Sequence, residues 1–234
     1  IGYSTYIRTG HTMTAHAGKG SAEKSAKTNY HHGELRQHLM NLALLHIASQ
    51  GTEKLSLRAL AREAHVSPTA PFRHFPNKQA LFAALATEGF YQLGDQIRVA
   101  IQSTHTLDDR VLAGAMSYIQ FAEENPVAYQ LMFGAILGDF SEFEGLSAAA
   151  GYAYESLDQL LLEVVEVKQL PIDELVLGGL IWSTIHGFAS LRLNVLQEGE
   201  PQIELRPRKA LMTMSADLES NIKSMLDGLL GQSA

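Results

Sequence analysis

The segment Ser56–Lys78 holds the side chains with the most to offer a ligand. Its residues alternate between two kinds. Ala61, Ala64, Val66 and Phe75 are small or apolar, as two short helices crossing closely require. Thr69, Ala70, Arg73 and His74 fall on the opposite side, with methyls, a guanidinium and an imidazole that suit the floor and walls of a DNA groove. A short helix, a tight turn and a second helix with a free outer face make a helix-turn-helix, whose second helix enters the major groove. Two such helices bury little alone, so a third must close the bundle, and Leu39, Leu42 and Ile47 are spaced to do so.

Other clusters point to less. Gly18-Lys19-Gly20-Ser21 lacks the earlier glycine and the strand of a phosphate-binding loop. Neither a nucleophile elbow, a zinc-protease helix nor a dinucleotide fingerprint is present, and the chain is not expected to be an enzyme. His31 and His32 are adjacent and cannot both easily face one ion, so no metal and no cofactor is expected. The Glu123–Glu124 pair reads as a solvated helix end.

Charge is divided unevenly. Residues 1–78 carry 10 Lys/Arg against 4 Asp/Glu, and residues 79–234 carry 8 against 21, so a basic head precedes an acidic body within an overall charge of −7. Such a split favours a polyanion-binding module attached to something else. There is no cysteine, which excludes disulfides and cysteine-ligated metals and fits a reducing compartment. No apolar run approaches the roughly 18 residues of a membrane span, and residues 1–28 contain no secretory apolar region. A cytoplasmic, nucleoid-associated protein without a membrane partner is expected. Residues 1–28 read as a flexible tail, partly non-native, with Met13 a candidate natural start.

The elements that must position these groups all read as helices, so the fold class is all-α. The first runs from about Gly33 to Ser49, with Leu35, Leu39, Leu42 and Leu45 or His46 inward and Gly51 as its stop. Ser56 caps the second, and His65–Val66 make the turn. Ser67 caps a third, which starts at Pro68 and ends near Phe75–Pro76; Pro71 inside it removes an amide donor and leaves it short or bent. Asn77 caps a fourth that reaches about Ile101. Further helices are expected over Leu107–Glu124, from Pro126 through Phe133, and over Leu146–Gln169, with Gly134–Gly145 irregular. Ile172–Leu196 is apolar on almost every face, which predicts burial on all sides. After a linker at Gly199–Pro207, one last helix places Leu211, Met214, Leu218, Ile222, Met225 and Leu229 at steps of three or four.

The run Tyr30-His31-His32-Gly33-Glu34-Leu35-Arg36, then Gly51, Leu57–Phe75 and Lys78, resembles the N-terminal domain of the TetR family. Trp182-Ser183-Thr184-Ile185-His186-Gly187 resembles the Trp-x-x-x-His-Gly motif of one of its subgroups. The resemblance implies about nine helices, a homodimer, and repression of a palindromic operator that is lifted by a small effector. It also assigns roles by position. Ser56 caps its helix and meets a phosphate, and Arg58 reaches a base, where a guanidinium can bond guanine bidentately. Ser67 and Pro68 open the reading helix, and Thr69 and Ala70 face base edges. Phe72, Arg73 and His74 lie on its outer side, Phe72 and His74 at backbone-contacting positions. Lys78 meets a phosphate, and Lys27 and Tyr30 belong to an arm along the DNA. Two departures stand out. His65 occupies a turn position where the family has glycine, at a conformational cost. Phe72 replaces tyrosine, which forgoes one phosphate hydrogen bond worth about 1 kcal/mol.

The division expected is residues 29–78 for DNA, 79–101 as a connecting helix, and 102–234 for effector binding and dimerisation. Tyr118, Phe121, Tyr129, Phe133, Tyr152, Trp182 and His186 are candidates to line a pocket for a hydrophobic or amphipathic effector. For Trp182 and His186, core packing and a dimer interface are the competing readings. The small residues Gly178, Gly179, Ser183, Gly187 and Ser190 favour close approach of another helix, and Ile181, Phe188, Leu191, Leu211, Met214, Leu218, Ile222 and Met225 are candidates for the interface.

Overall fold

The computed structural model describes residues 32–197 and 205–231. Lys27, Tyr30, His31, the tail and most of the expected linker lie outside the described residues. Nine α-helices and two single 3₁₀ turns make up the regular structure, with no strand among the described residues.

Helix α1 (His32–Gln50) and α2 (Leu57–Glu63) form the head together with a 3₁₀ turn at Pro71–Arg73. Local chemistry fixes the boundaries. Ser56 Oγ accepts from the Ala59 amide at 3.1 Å, and Gly51 leaves α1 in a left-handed conformation (φ 81°). The inward side of α1 is Leu39, Met40, Ala43, His46 and Ile47, while Leu45 is 66% exposed, so of the two alternatives at that turn His46 is the inward one. Its Nδ1 lies 3.5 Å from Glu63 Oε1 of α2. A leucine pointing outward is affordable because α1 packs against α2, α3 and α5 along one side only.

The third helix of the head differs from expectation. Ser67–Phe75 is a chain of turns, with amides of Ala70, Arg73 and His74 bonding three residues back, and a single four-residue step from Phe75 to the Pro71 carbonyl at 2.9 Å. Pro68 and Pro71 supply no amide, and the Pro71 ring would collide with the Ser67 carbonyl in an α-helix. Two prolines in four residues thus convert the helix into a tight, rigid turn.

Helix α3 (Lys78–Gln102) starts on Asn77, whose Oδ1 accepts from the Ala80 amide at 2.8 Å, and runs 25 residues from the head into the body. It packs on α4 (Leu107–Glu124), α5 (Pro126–Phe133) and α6 (Leu146–Lys168). Gly94 makes the closest approach: a Cβ there would stand 2.9 Å from the Tyr152 ring and 3.1 Å from the Ala153 Cα. Between α5 and α6 the chain is irregular except for the 3₁₀ turn at Phe140–Glu142.

Helix α7 (Glu174–Gln197) packs on α4 and α6. It is not buried on all sides. Leu177, Ile181, Ile185, Phe188 and Leu193 face the core, but Leu175, Val176, Leu180, Trp182 and Leu191 are between 42% and 64% exposed. Its stretch Glu174–Val195 is long and apolar enough to cross a bilayer by length and composition, contrary to the expectation that no such run exists. The last amphipathic stretch is two helices rather than one, α8 (Arg206–Ala216) and α9 (Leu218–Leu230), hinged at Asp217 (φ −133°, ψ 65°). The apolar spacing runs through the hinge without interruption, so periodicity could not reveal it. On α9, Ile222, Leu226 and Leu230 pack inward, and α9 leans on α4.

Candidate nucleic-acid interface and ligand cavity

The outer surface of the head is built by the two prolines and the Ser56 cap. Ser56, Arg58, Ser67, Pro68, Thr69, Phe72 and Arg73 are exposed, and Ala70, His74 and Lys78 are half-buried. Beneath them Pro71 and Phe75 are buried. The Arg36 guanidinium sits 5.4 Å from the centre of the Phe75 ring, tying α1 to the turn. Ser67 and Thr69 hydroxyls are 3.3 Å apart. Lys78 Nζ donates to the Glu53 carbonyl at 3.2 Å and lies over the Phe82 ring. His65 holds the turn in a left-handed conformation at φ 54°, the cost anticipated for a non-glycine residue there. Exposed Arg58, Arg62 and Arg73 and half-buried Lys78 give this surface a positive character that the body lacks.

The second feature is a cavity of about 260 Å³ between α3, α4, α5, α6 and α7. Of the aromatic candidates, Tyr118, Phe133 and Trp182 line it. Tyr129 and His186 stand behind Tyr118, with both tyrosine hydroxyls in hydrogen-bond reach of His186 Nδ1, at 2.9 Å for Tyr118 and 2.8 Å for Tyr129. The hydroxyls are 3.3 Å from each other, and Ser190 Oγ lies 3.4 Å from His186 Nε2. Phe121 is buried elsewhere in the core and does not line the space. Tyr152 lies outside it too, on the α3 side: Arg98 Nη1 and Tyr152 Oη are 2.5 Å apart, and the Tyr152 hydroxyl donates to Asp95 Oδ1 at 2.5 Å.

The rest of the wall includes three aromatic residues outside those candidates, Phe90, Phe140 and Tyr154, and many that are not aromatic. Phe90, Leu93 and Ile97 of α3 contribute, and Gly114, Ala115, Ala150 and Ala153 leave the room. Small residues at core-facing positions of two facing helices, α4 and α6, were the signal available in the sequence. Gly178 fits the same pattern, since a Cβ there would lie 2.6 Å from the Tyr154 hydroxyl.

Burial sets the protonation of the polar group at the cavity's end. It pushes the Tyr118 hydroxyl well above the ordinary phenol value and raises that of Tyr129, so both remain protonated. It also lowers His186 below its ordinary 6.5. A lowered imidazole contributes stability that is complete above 6.5 and is lost as pH falls from there through the folded-state value. Trp182, the single tryptophan, has its ring 5.2 Å from that of His186. Its emission should therefore be quenched on acidification with a midpoint below 6.5, and His186→Gln should abolish the step. A midpoint at or above 6.5 in the native chain would contradict the burial argument.

Residues 39–85 match the model of the N-terminal domain of bacterial regulatory proteins of the tetR family, and residues 111–200 match that of the tetracyclin repressor-like C-terminal domain, together more than half of the chain. A nucleoid occlusion factor, SlmA, of Photobacterium profundum is 25% identical over 155 residues, spanning 64% of this chain and 78% of that protein. Among solved structures, a protein of unknown function from Rhodococcus sp. RHA1 superposes with a TM-score of 0.69 at 27% identity, covering 87% of this chain and 97% of its own. The transcriptional regulator FadR of Bacillus subtilis, in complex with stearoyl-CoA, shares the fold at 14% identity with a TM-score of 0.61, over 80% of this chain and 97% of its own. With a head whose fold and exposed basic surface agree with these matches, the chain belongs to the TetR family of DNA-binding bacterial regulators.

Proposed function

We propose that the protein is a ligand-responsive repressor that binds a palindromic operator as a homodimer and is released by a small apolar or amphipathic effector. The observation that carries the reading is α3: one helix begins under the reading surface at Asn77 and forms a wall of the cavity through Phe90, Leu93 and Ile97. A ligand that fits the cavity better in one arrangement of α3 biases the head, and it can do so only by its differential affinity for the two arrangements. The stearoyl-CoA bound to the Bacillus subtilis FadR supports an apolar ligand in this fold. The chain then divides into a DNA-binding unit at 29–78, a connecting helix at 79–101 and an effector and dimer unit at 102–234, and it works in the cytoplasm.

The exposed and half-buried residues of the head's outer surface take the roles implied by position. Arg58 reads a base, Thr69 and Ala70 offer methyls to thymine, Ser56, Ser67, Phe72, Arg73 and His74 line the backbone, and Lys78 meets a phosphate. The exposed side of α7 supports dimerisation. Val176, Leu180, Ser183, Gly187 and Leu191 recur at helical spacing, and Gly179 and Gly187 have open space where a Cβ would stand. Leu191 of the anticipated interface lies there, and Leu211, Met214, Leu218 and Met225 are half-buried on α8 and α9. Ile181, Phe188 and Ile222 instead face the chain's own core. The Trp182-x-x-x-His186-Gly187 motif places its tryptophan on the cavity and its glycine on this outer side.

Selection from a pool of random duplexes at two salt concentrations tests the reading. Enrichment of a palindrome, with affinity that falls steeply with salt, is expected. Recovery of no sequence from protein refolded free of small molecules would refute it. On the selected operator, Arg58→Ala should relax preference at one base pair, costing about 1–3 kcal/mol on the specific site only, whereas Lys78→Ala should weaken all duplexes alike. Equal losses on specific and random DNA for Arg58→Ala would remove its base-reading role.

A further inference from the structure

The cavity's chemistry narrows its ligand, provided the effector reading holds. No Lys, Arg, Asp or Glu is among the lining residues. A carboxylate or ammonium placed inside would lose its hydration without a partner, which costs far more than the apolar contacts return. The volume sets a second limit. A cavity of about 150 Å³ holds one benzene, so about 260 Å³ accommodates about ten non-hydrogen atoms. An eighteen-carbon acyl chain does not fit.

Besides the Tyr154 hydroxyl and the Trp182 indole, the polar feature beside the space is the linked group of Tyr118, Tyr129 and His186. His186 Nδ1 can take only one of the two tyrosine hydrogens if it is an acceptor, and the second then passes between the tyrosines over 3.3 Å. Both tyrosine hydrogens are then used, and the free capacity at Tyr118 is an oxygen lone pair. If Nδ1 instead carries the proton, a tyrosine O–H is released. A ligand hydroxyl, which both donates and accepts, satisfies either tautomer, whereas a ketone satisfies one and a hydrocarbon neither.

We propose that the cavity binds an uncharged alcohol of about nine carbons, its hydroxyl hydrogen-bonded to Tyr118 and its chain among Phe90, Leu93, Phe133 and Leu157. Trp182 at the cavity wall reports occupancy directly.

The test titrates the full-length protein with nonan-1-ol, nonan-2-one and nonanoate at pH 8, reading Trp182 emission and calorimetric heat. The alcohol should bind at least ten-fold more tightly than nonanoate and measurably more tightly than the ketone. Tyr118→Phe should weaken the alcohol about five-fold to ten-fold and leave the ketone-to-alcohol difference abolished. Ala115→Leu, which fills the space, should remove binding of all three; a fold defect in that variant leaves the Tyr118→Phe comparison decisive. Nonanoate binding as tightly as the alcohol, or no binding of the alcohol, overturns the proposal. Binding of the alcohol without release of the selected operator overturns the effector reading and leaves the ligand class standing.

Discussion

Leu180→Glu combined with Leu191→Glu should turn the proposed homodimer into a monomer and lower operator affinity about 100-fold or more. Both side chains are exposed in the chain, at 43% and 59%, so charging them removes nothing from the core. They lie on the same side of α7 as Gly179 and Gly187, where a second helix can come close. Two glutamates per subunit would meet their symmetry mates across a twofold interface, uniting repulsion with the cost of burying charge. A dimer gains from binding its second half-site intramolecularly, and that gain disappears with the monomer. Light scattering coupled to size exclusion reads the mass, and circular dichroism should show unchanged helix. A double variant that remains dimeric and binds as before would show that α7 is not the interface.

The second large effect is expected at Phe75. It is 1% exposed, seated under Arg36, and its amide closes the one four-residue step of the reading turn. Phe75→Ala should cost about 3–5 kcal/mol, because the cavity it leaves is bounded by helices that cannot collapse without losing other contacts. Phe72, three residues earlier and 43% exposed, is the internal control: Phe72→Ala should leave the melting temperature within about a degree or two and act on DNA affinity alone. Thermal melts and hydrogen exchange of the α1 and α2 amides measure both. Similar stability for the two variants would mean that the head is not held together by Phe75.

Legibility in the sequence tracked how local the cause was. Ser56, Asn77 and Pro126 act within one turn of chain, and the helices they begin were read from spacing and capping alone. Pro71 was recognised as a disturbance, but its full effect needed Pro68 and the packing of Phe75 beneath it. The outward face of α7 was hidden because its leucines and valine look like core residues; only the positions of α4 and α6 decide which side is covered. The Asp217 hinge was hidden for the opposite reason, since no proline or glycine marks it and the apolar period persists. For the cavity, Tyr118, Phe133 and Trp182 were read as candidates, while Tyr152 went to a surface cluster with Arg98 and Asp95. An aromatic residue can fill a void as readily as border one. The void itself is written in Gly114, Ala115, Ala150 and Ala153, whose significance depends on what faces them.

The contact at Gly94 has a mechanical meaning. With the Ala153 backbone and the Tyr152 ring already closer than a side chain there would allow, α3 and α6 mesh like gear teeth. Slack in such a joint would let a ligand's push dissipate as side-chain rearrangement. Without it, in the proposed mechanism, a displacement of α6 would pass to α3, and across the twelve residues from Phe90 back to Lys78, roughly 18 Å of helix, a small tilt would become a larger excursion at the DNA-binding surface.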